Sequence, residues 1–449
     1  MPGAVGPEEI RRVANAALEV PGADDVEVLF VHEWGGLTRF ASSSIHQSTW
    51  REDTGVRVRV VTGDRVGVAE TNVFSARGAR SAAESALEMA GVVAPDPAFP
   101  GLAPADPVED TSRFDEATAT TTPQRRAEGV AELVGACADG FAAAGAFETM
   151  ANEVAVANTH GQFCWAPTTL ASLTTVVTGG DGGSGFAEVF GSAAGGIDPA
   201  ELGRRASDKA VASQRPRDLE AGRYTVVLEP SAVSTLVGFL AWIGFGGRVL
   251  AEGRSCFSGR EDTRVAAEAV TIVDDAMAPG TLGIPFDFEG VPRSRVPLIE
   301  RGVFRGGVHD LRTAKQVGAR TTGHALPSPN PEGPFPLNLV MEPGDATVDD
   351  MVADTERGVL VTRFHYSNVV HAVESTITGM TRDGTFLIED GEIAYPVKNF
   401  RFTQSILDAL RDTTMIGRET ELASEFFFSA SRVPALKVES FNFSGRSDH

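Results

Sequence analysis

The residues of this chain that could hold a catalytic metal ion are few, and the first of them lack the required spacing. His32-Glu33 has the form of a zinc-binding helix start, in which a second histidine follows one helical turn later. Here Gly35-Gly36 follows instead, and paired glycines destabilise a helix. We therefore interpret His32-Glu33 as a surface pair at the end of a strand.

Four further histidines lie in the second half of the chain, at positions 309, 324, 365 and 371. His365 and His371 share a segment that is predicted to be extended, and a strand of this length spans about 20 Å. An unbroken strand cannot bring both side chains to one ion. Folding could still bring His324 close to His365, so a relocated metal site at this pair stays open as an alternative.

A glycine-rich stretch, Gly180-x-Gly182-x-x-Gly185, has the spacing of a dinucleotide-binding loop. Such a loop must open a helix, whereas the following residues 186–190 (FAEVF) have the pattern of another strand. The stretch is therefore predicted to be a glycine-rich hairpin. Phosphate-binding loops and serine nucleophile elbows do not occur in the sequence.

Composition limits the possible functions further. The chain has 449 residues, 42% hydrophobic and 22% charged, which predicts more than one globular unit. Its formal charge of −22 argues against nucleic-acid binding, because phosphates are neutralised by clustered lysine and arginine. The widely spaced Cys137, Cys164 and Cys256 are typical of a reducing compartment. Since neither a signal peptide nor a membrane-spanning stretch is recognisable, we predict a cytoplasmic protein that does not bind membranes.

The elements that would position these residues indicate an α+β fold. Residues 1–215 have the pattern of an N-terminal helix-and-sheet part, whose subunits 1–95 and 108–215 are joined by a proline-rich linker. From 222 to 449 the sequence changes to short strands and tight turns, which predicts a large, mostly antiparallel β domain. We place the boundary near Arg215–Gly222.

Two local patterns are specific enough to test. Strands are predicted at Val26–Val31 and Leu37–Ser48, with a turn at Gly35-Gly36 between them. A helix at Ser231–Phe245 has apolar side chains on every face, which is typical of a buried helix. No regular internal repeat is visible in the sequence.

Four longer stretches carry a recognisable pattern, and they cover nearly the whole chain. They are LTRFASSSIHQ (Leu37–Gln47), VTIVDDAMAPGTLGIPFDFEGVPRSRVPLIERGVF (Val270–Phe304), TGMTRDGTFLIEDGEIAYPVKNFRFTQSILDAL (Thr378–Leu410) and VPALKVESFNFSG (Val433–Gly445). In this order they resemble signature segments of the TldD/PmbA family of metallopeptidase subunits. The resemblance implies a helix-and-sheet N-terminal part followed by a mostly antiparallel C-terminal β domain. Some family members have names linked to DNA gyrase, but the acidic composition argues against direct DNA contact.

The chain departs from the catalytic, TldD-like members at one helix. Those members carry His-Glu-x-x-x-His on this helix, and a cysteine near the C-terminus supplies a further zinc ligand. Two anchors, Val226-Val227-Leu228 and Gly253–Gly259 (GRSCFSG), align the helix without gaps. The motif positions then hold Gly238, Phe239 and Ile243, and no cysteine follows the second anchor. The resemblance therefore implies a TldE-like subunit that has no catalytic residue, metal ligand or cofactor of its own.

The family pattern also implies a heterodimer. A TldD-like partner would supply zinc and the catalytic groups, and this chain would complete the enclosure, or form a homodimer in the partner's absence. The pair would hydrolyse unfolded peptides or short ones, modified or not. Polar residues that interrupt apolar strands are the candidates for the substrate cleft: Arg363, His365, Tyr366, Arg382 and Asp383.

Two alternatives from other classes remain. The chain could be a self-sufficient amide or peptide hydrolase of specialised metabolism with a relocated metal site, which zinc bound by the isolated chain and lost in His365→Ala would support. It could instead be a non-enzymatic peptide-binding or regulatory protein. Binding without cleavage, even in the presence of a TldD-like partner, would favour that reading.

Overall fold

The computed structural model describes residues 3–109, 113–426 and 429–446. The N-terminal part contains two groups of three long strands with helices before and after each group, and a 3-10 turn at Ala194–Gly196. In chain order these elements are α1 (Pro7–Leu18), β1 (Asp25–Ala41), β2 (Ser44–Thr62), β3 (Arg65–Thr71), α2 (Ala76–Val92), α3 (Glu116–Ala119), α4 (Pro123–Gly135), β4 (Phe141–Asn158), β5 (Phe163–Gly179), β6 (Gly183–Gly191) and α5 (Pro199–Ala212).

The N-terminal strands form one antiparallel sheet in the order β3-β2-β1-β4-β5-β6. Strands β1 and β4 pair along the middle of this sheet. The helices α1 and α2 pack against one half of a single face, and α4 and α5 pack against the other half. The segments predicted as subunits 1–95 and 108–215 therefore contribute to the same sheet.

This sheet consists of two halves with the same order of helices and strands, although no regular repeat is visible in the sequence. Each half consists of a helix, three strands and a second helix, first α1-β1-β2-β3-α2 and then α4-β4-β5-β6-α5. The third strand of each half has a glycine against the last helix. A Cβ atom on Gly67 would overlap the carbonyl oxygen of Ala86, and one on Gly185 would overlap that of Ala206. The halves share the order of their helices and strands but no repeated sequence, so the pattern of residues does not reveal the structural repeat.

The first strand also differs from its prediction. β1 is continuous, and the chain turns at Ser42-Ser43, where φ is 49° and 58°. Gly35 lies inside the strand with a φ of 156°. A Cβ atom there would overlap the carbonyl oxygen of Thr149 on β4, so this position requires glycine. Gly35 thus allows close packing of β1 against β4, and Gly36 leaves room for the guanidinium of Arg126 on α4, so the predicted turn at Gly35-Gly36 is wrong.

His32 is buried in the middle of β1, so the interpretation of His32-Glu33 as a surface pair is corrected. Its Nδ1 lies 2.8 Å from Oγ1 of Thr54 and 3.1 Å from the carbonyl oxygen of Asp53. Its Nε2 lies 3.1 Å from the carbonyl oxygen of Gly3. Both ring nitrogens therefore have partners, and His32 is a satisfied core histidine.

The C-terminal part contains mostly strands. In chain order its elements are β7 (Gly222–Leu228), α6 (Pro230–Ile243), α7 (Gly247–Ala251), β8 (Ile272–Asp274), β9 (Val296–Glu300), β10 (Val303–Phe304), α8 (Leu311–Val317), β11 (Leu339–Met341), α9 (Val348–Ala353), β12 (Arg357–His371), β13 (Thr376–Glu389), β14 (Glu392–Pro396), β15 (Phe400–Ser405), α10 (Ile406–Arg411), β16 (Thr413–Phe426) and β17 (Ser429–Arg446). Within the described ranges no helix is both long and apolar enough to cross a membrane.

The C-terminal strands close into a ring. Their pairings run from β7 to β12, β13, β15 and β17, and β17 pairs again with β7. Only the pairing of β7 with β12 is parallel in this ring. Helix α6 packs against β12, β16 and β17 and contributes most of its side chains to the largest core. The predicted α+β fold, with a mostly antiparallel C-terminal domain, is confirmed.

The C-terminal segment around Phe286 covers part of the sheet face that carries no helices. On β1, Val28 and Phe30 pack beneath α1 and α2. Leu29, which points to the opposite face, belongs to a cluster with Phe286 of the C-terminal part. Both faces of β1 are therefore buried, which explains its nearly continuous run of apolar residues.

Candidate functional site

An open cleft of about 260 Å³ lies where the second half of the N-terminal sheet meets the C-terminal part. Strands β5 and β6 form one side, and the start of α6 and the middle of β12 form the other. The lining residues are Thr174, Phe186, Glu188, Phe190, Ser231, Ser234, Arg363 and Phe364. Charged and hydroxyl groups thus meet aromatic rings in a cleft built from both parts of the chain.

Helix α6 presents its first turn to this cleft, and its later side chains are buried except Trp242, which is 47% exposed. The backbone N–H of Glu229, just before the helix, donates to the carbonyl oxygen of Val361 at 3.0 Å and ties the helix start to β12. Gly238, Phe239 and Ile243 are all buried, with Phe239 2% and Ile243 6% exposed. Side chains without nitrogen, oxygen or sulfur cannot bind zinc, so these residues do not fit the metal site of a catalytic relative.

Arg363 is the predicted cleft residue that lies on the cleft wall. Its Nε donates to Oδ2 of Asp383 at 2.6 Å, and its guanidinium carbon lies 4.1 Å from the ring centroid of Phe186. Asp383 is buried, and its Oδ1 accepts a hydrogen bond from Oγ of Ser184. The guanidinium is therefore held in one orientation by contacts from β6 and β13.

His365, Tyr366 and Arg382 are outside the described lining of the cleft and form the strand surface next to it. Tyr366 is 79% exposed, and its ring meets that of His365 edge-on at 4.8 Å between centroids. Burial lowers the pKa of His365, and the positive charges of Arg382 and Arg363 lower it further. The imidazole is therefore neutral at physiological pH and can accept or donate a hydrogen bond.

Glu188 and Ser231 are cleft residues that the sequence patterns did not single out. The Ser231 hydroxyl donates to Oε1 of Glu188 at 2.9 Å and so joins the start of α6 to β6. Phe186, Glu188 and Phe190 alternate along β6 and so share one of its faces. A single glutamate between two aromatic residues on a strand face is only a weak sequence signal of a functional surface. Only the folded chain brings Ser231 to it.

The described histidines do not form a metal centre. His324 is fully buried, with Nε2 2.9 Å from Oδ1 of Asp274 and Nδ1 2.9 Å from Oγ1 of Thr322. Strand β12 changes register after His365, so it is not the unbroken strand that was assumed for His365 and His371. In the described part of the chain, no three His, Cys, Asp or Glu side chains are grouped so that they could hold one ion.

Several metalloproteases match the chain at 22–28% sequence identity. The chain is 22% identical over 445 residues to the metalloprotease PmbA of Escherichia coli O157:H7, which covers 96% of each protein. It is 28% identical over 233 residues to a metalloprotease of Methanothermobacter thermautotrophicus, a match that covers 51% of this chain and 50% of that protein. The chain thus spans about half the length of this archaeal relative, and the matches to TldD homologues of Buchnera aphidicola cover 42% of those proteins.

The fold and the domain matches agree along the chain. The crystal structure of TldE from Thermococcus kodakarensis superimposes with a TM-score of 0.85 at 21% identity, covering 98% of this chain and 99% of that one. Residues 26–90, 106–214 and 221–445 match domain 1, the central domain and the C-terminal domain of the PmbA/TldA metallopeptidases. The resemblance read from the sequence is therefore confirmed, and the chain belongs to the PmbA/TldD family of metallopeptidases.

Proposed function

We propose that this chain is the TldE-like subunit of a heterodimeric zinc metallopeptidase. A TldD-like partner would supply the zinc ion, the attacking water and the general base. The observation that carries the proposal is helix α6, where Gly238, Phe239 and Ile243 are buried and offer no ligand atom. We therefore assign no chemical step of hydrolysis to this chain, only the binding and orientation of substrate.

The cleft beside α6 supports an unfolded or short peptide as the substrate. Strand β6 is the last strand of its sheet, and its residues line the cleft. An extended peptide would add to such a strand through backbone hydrogen bonds, with side chains pointing alternately into the cleft. Phe186 and Phe190 would contact apolar side chains of the peptide. A folded domain, whose backbone groups are already paired, could not bind in this way.

Arg363 would fix the register of the bound peptide. Its guanidinium is held by Asp383 and keeps further N–H groups for a carbonyl oxygen or a carboxylate of the substrate. Because this orientation exists before substrate arrives, little side-chain entropy would be lost on binding. Arg363 is thus a positioning residue that acts on a bond cleaved by the partner's groups.

The test compares this chain alone, a TldD-like subunit alone and an equimolar mixture. Each sample is assayed for hydrolysis of a fluorogenic unfolded peptide, its zinc content is measured, and its mass is determined by light scattering. We expect full activity only in the mixture, zinc only in the partner, and one heterodimeric species, with a homodimer when the partner is absent. Hydrolysis by the metal-free isolated chain would overturn the proposal.

The same samples separate the two alternatives. A self-sufficient hydrolase would retain zinc as an isolated chain and lose it in His365→Ala. The geometry weighs against this, because both ring nitrogens of His324 are already hydrogen-bonded. A peptide-binding protein would bind the peptide without cleavage in every sample. Nucleic acid is not an expected partner of a chain with a formal charge of −22.

A further inference from the structure

A second cleft lies between the first half of the N-terminal sheet and the C-terminal part. Its volume is about 480 Å³, and small-molecule sites typically measure about 300–1,000 Å³ and occur preferentially between domains. It shares no lining residue with the cleft beside α6. The lining residues are Arg59, Val66, Val68, Phe99, Pro100, Arg248, Glu252, Glu289, Asp310, Arg312, Thr313, Gln316, Ala325, Leu326, Ser328, Pro329, Asn330 and Gly333.

Part of this second cleft is apolar. Val66 and Val68 come from β3, Phe99 and Pro100 from the linker after α2, and Leu326 from the loop after α8. Both valines are only partly buried, so their side chains are accessible from the cleft. A ligand with a hydrocarbon group would remove this surface from water, which is favourable in proportion to the area covered.

The buried Arg59 supplies a hydrogen-bond donor that has no acceptor. Its Nη2 donates to Oε2 of Glu27 at 2.8 Å, and its Nη1 donates to Oε1 of Glu289 at 3.2 Å. Its Nε is buried, and no hydrogen-bond partner for it exists among the described residues. A buried N–H group without an acceptor costs free energy, so a ligand oxygen that reached it would bind favourably.

The rest of the second cleft carries charges of both signs. Arg248 and Arg312 add positive charge, whereas Glu252, Glu289 and Asp310 add negative charge. Arg248 pairs with Glu252, Arg312 with Asp96 and Arg59 with Glu289, so a simple anion or cation would meet charges of both signs that are already paired. A zwitterion could place each of its charges next to the opposite one.

We propose that the second cleft binds a free amino acid or dipeptide with an apolar side chain. Its carboxylate would accept a hydrogen bond from Arg59, and its ammonium group would lie toward Glu289 and Asp310. Its side chain would cover Val68 and the neighbouring apolar residues. Such molecules are products of peptide hydrolysis, so a role in product sensing rests on the proposed function. The binding itself does not depend on hydrolysis.

The experiment is isothermal titration of the isolated chain with L-phenylalanine and with the dipeptide Leu-Phe. Phenethylamine, which lacks the carboxylate, and 3-phenylpropanoate, which lacks the ammonium group, are the comparison ligands. We expect saturable binding of at least one zwitterion and about tenfold or greater loss of affinity for both comparison ligands, because each loses a charge-assisted contact. Since no partner and no hydrolysis are involved, the result is independent of the peptidase assay.

Two variants locate the binding. Arg59→Lys keeps the buried positive charge but removes Nε, and Val68→Phe narrows the cleft beside Arg59 while every charged member of the ion pairs is kept. Each should weaken binding by about tenfold or more. Val370→Phe, at an exposed valine of β12, and Arg357→Lys, at an exposed ion pair, are the matched controls and should bind as the parent chain does.

Three outcomes would overturn this inference. The first is the lack of saturable binding for either zwitterion. The second is equal binding of 3-phenylpropanoate, which would mean that the charges of both signs are not used. The third is undiminished affinity in a Val68→Phe variant whose thermal unfolding matches that of the parent chain. Because Val68 is partly exposed and has no role in the buried ion pairs, this variant stays informative even if Arg59→Lys fails to fold.

Discussion

The first half of the N-terminal sheet meets the C-terminal part through a buried ion-pair network at the edge of the second cleft, whereas the second half meets it at the cleft beside α6, whose charged groups are only partly buried. Both halves have the same order of helices and strands and use the same face for their helices. On the other face, the first half buries Arg59 between Glu27 and Glu289. At the second half, Glu188 of β6 and Arg363 of β12 line the cleft beside α6.

This difference shows that a repeated backbone need not repeat its chemistry. A charge that is removed from water must be paired, so the first half needs counter-ions from both parts of the chain. In the cleft beside α6, Glu188 and Arg363 are only partly buried, so water reaches both charged groups. The buried ion pairs therefore join the two parts of the chain, and the cleft beside α6, with its partly buried charged groups, is the better candidate for peptide binding.

The largest effect is expected from removal of the buried cation. Arg59→Met should lower the free energy of unfolding by about 3–5 kcal/mol, because Glu27 and Glu289 would stay buried without a partner. Urea unfolding monitored by circular dichroism measures this loss. Arg57→Met, on the same strand, removes an exposed pair with Glu70 and should cost about 1 kcal/mol or less. Equal losses in the two variants would contradict the distinction between the buried ion pairs of Arg59 and the exposed ion pair of Arg57.

A smaller effect concerns pH and the same junction. Burial raises the pKa of Glu27 to about 7, because desolvation outweighs the attraction of Arg59, a cation that Glu289 shares. Between pH 4.5 and 7, Glu27 is therefore protonated in the folded state but ionised in the unfolded state, where its pKa is 4.5. The stability due to this proton is complete below pH 4.5 and is lost as pH rises through 7.

Glu27→Gln tests this dependence. The loss between the two pKa values corresponds to about 3 kcal/mol for the parent chain, and the variant should lack that contribution. Urea unfolding at a series of pH values between the two pKa values and above them measures the difference between the chains. Glu70→Gln, at an exposed pair, is the control and should leave the pH profile unchanged. Parallel profiles of Glu27→Gln and the parent would show that Glu27 is ionised throughout.

The helix-covered face should respond alike in both halves. Gly67→Ala and Gly185→Ala would each force a methyl group against a helix carbonyl, of Ala86 and Ala206 respectively, and each should cost about 1–3 kcal/mol. Thermal unfolding of the two variants measures the loss. Gly91→Ala, in α2 with open space around it, should be neutral or slightly stabilising. A large difference between the first two variants would mean that the halves are not equivalent even on this face.

The smallest expected effect is on catalysis by the complex. Arg363→Met should lower kcat/KM of the mixture with a TldD-like subunit by about tenfold, or about 1.4 kcal/mol, because the peptide loses a positioning contact. The variant should also lose stability, because the buried Asp383 keeps its hydrogen bond from Ser184 but loses its ion pair with Arg363, so activities are compared at equal concentrations of folded complex. Arg357→Met, on the same strand, removes only an exposed pair with Glu389 and should leave activity intact. Equal activity of both variants would remove Arg363 from the site.

Local patterns predicted the fold class well and individual turns less well. The helix-and-sheet N-terminal part and the β-rich C-terminal part followed from composition, periodicity and the family segments. The turn at Gly35-Gly36 was wrong, because the reason for Gly35 is the backbone of Thr149 on a neighbouring strand. His32 was misplaced for a similar reason, since its partners come from β2 and from the start of the chain.

The cleft could be predicted only in part. Arg363 and Asp383 stood out as polar residues in apolar strands, and the structure joins them in one ion pair. Glu188 and Ser231 had no comparable signal, because only the folded chain brings the start of α6 within hydrogen-bond distance of β6. Which of the five candidates line the cleft depended on strand twist and register, which sequence spacing does not specify.

The sequence by itself determined the chemical capacity of the chain: which side chains carry ligand atoms, the net charge, and the apolar residues at Gly238, Phe239 and Ile243. Only the tertiary structure decided which polar groups are buried, which of them pair, and where clefts remain open. The physical reason is that the atoms of a side chain are a local property. Its ionisation, hydrogen bonding and access to ligand depend on residues that are distant in the chain, as Arg59 and Glu289 illustrate.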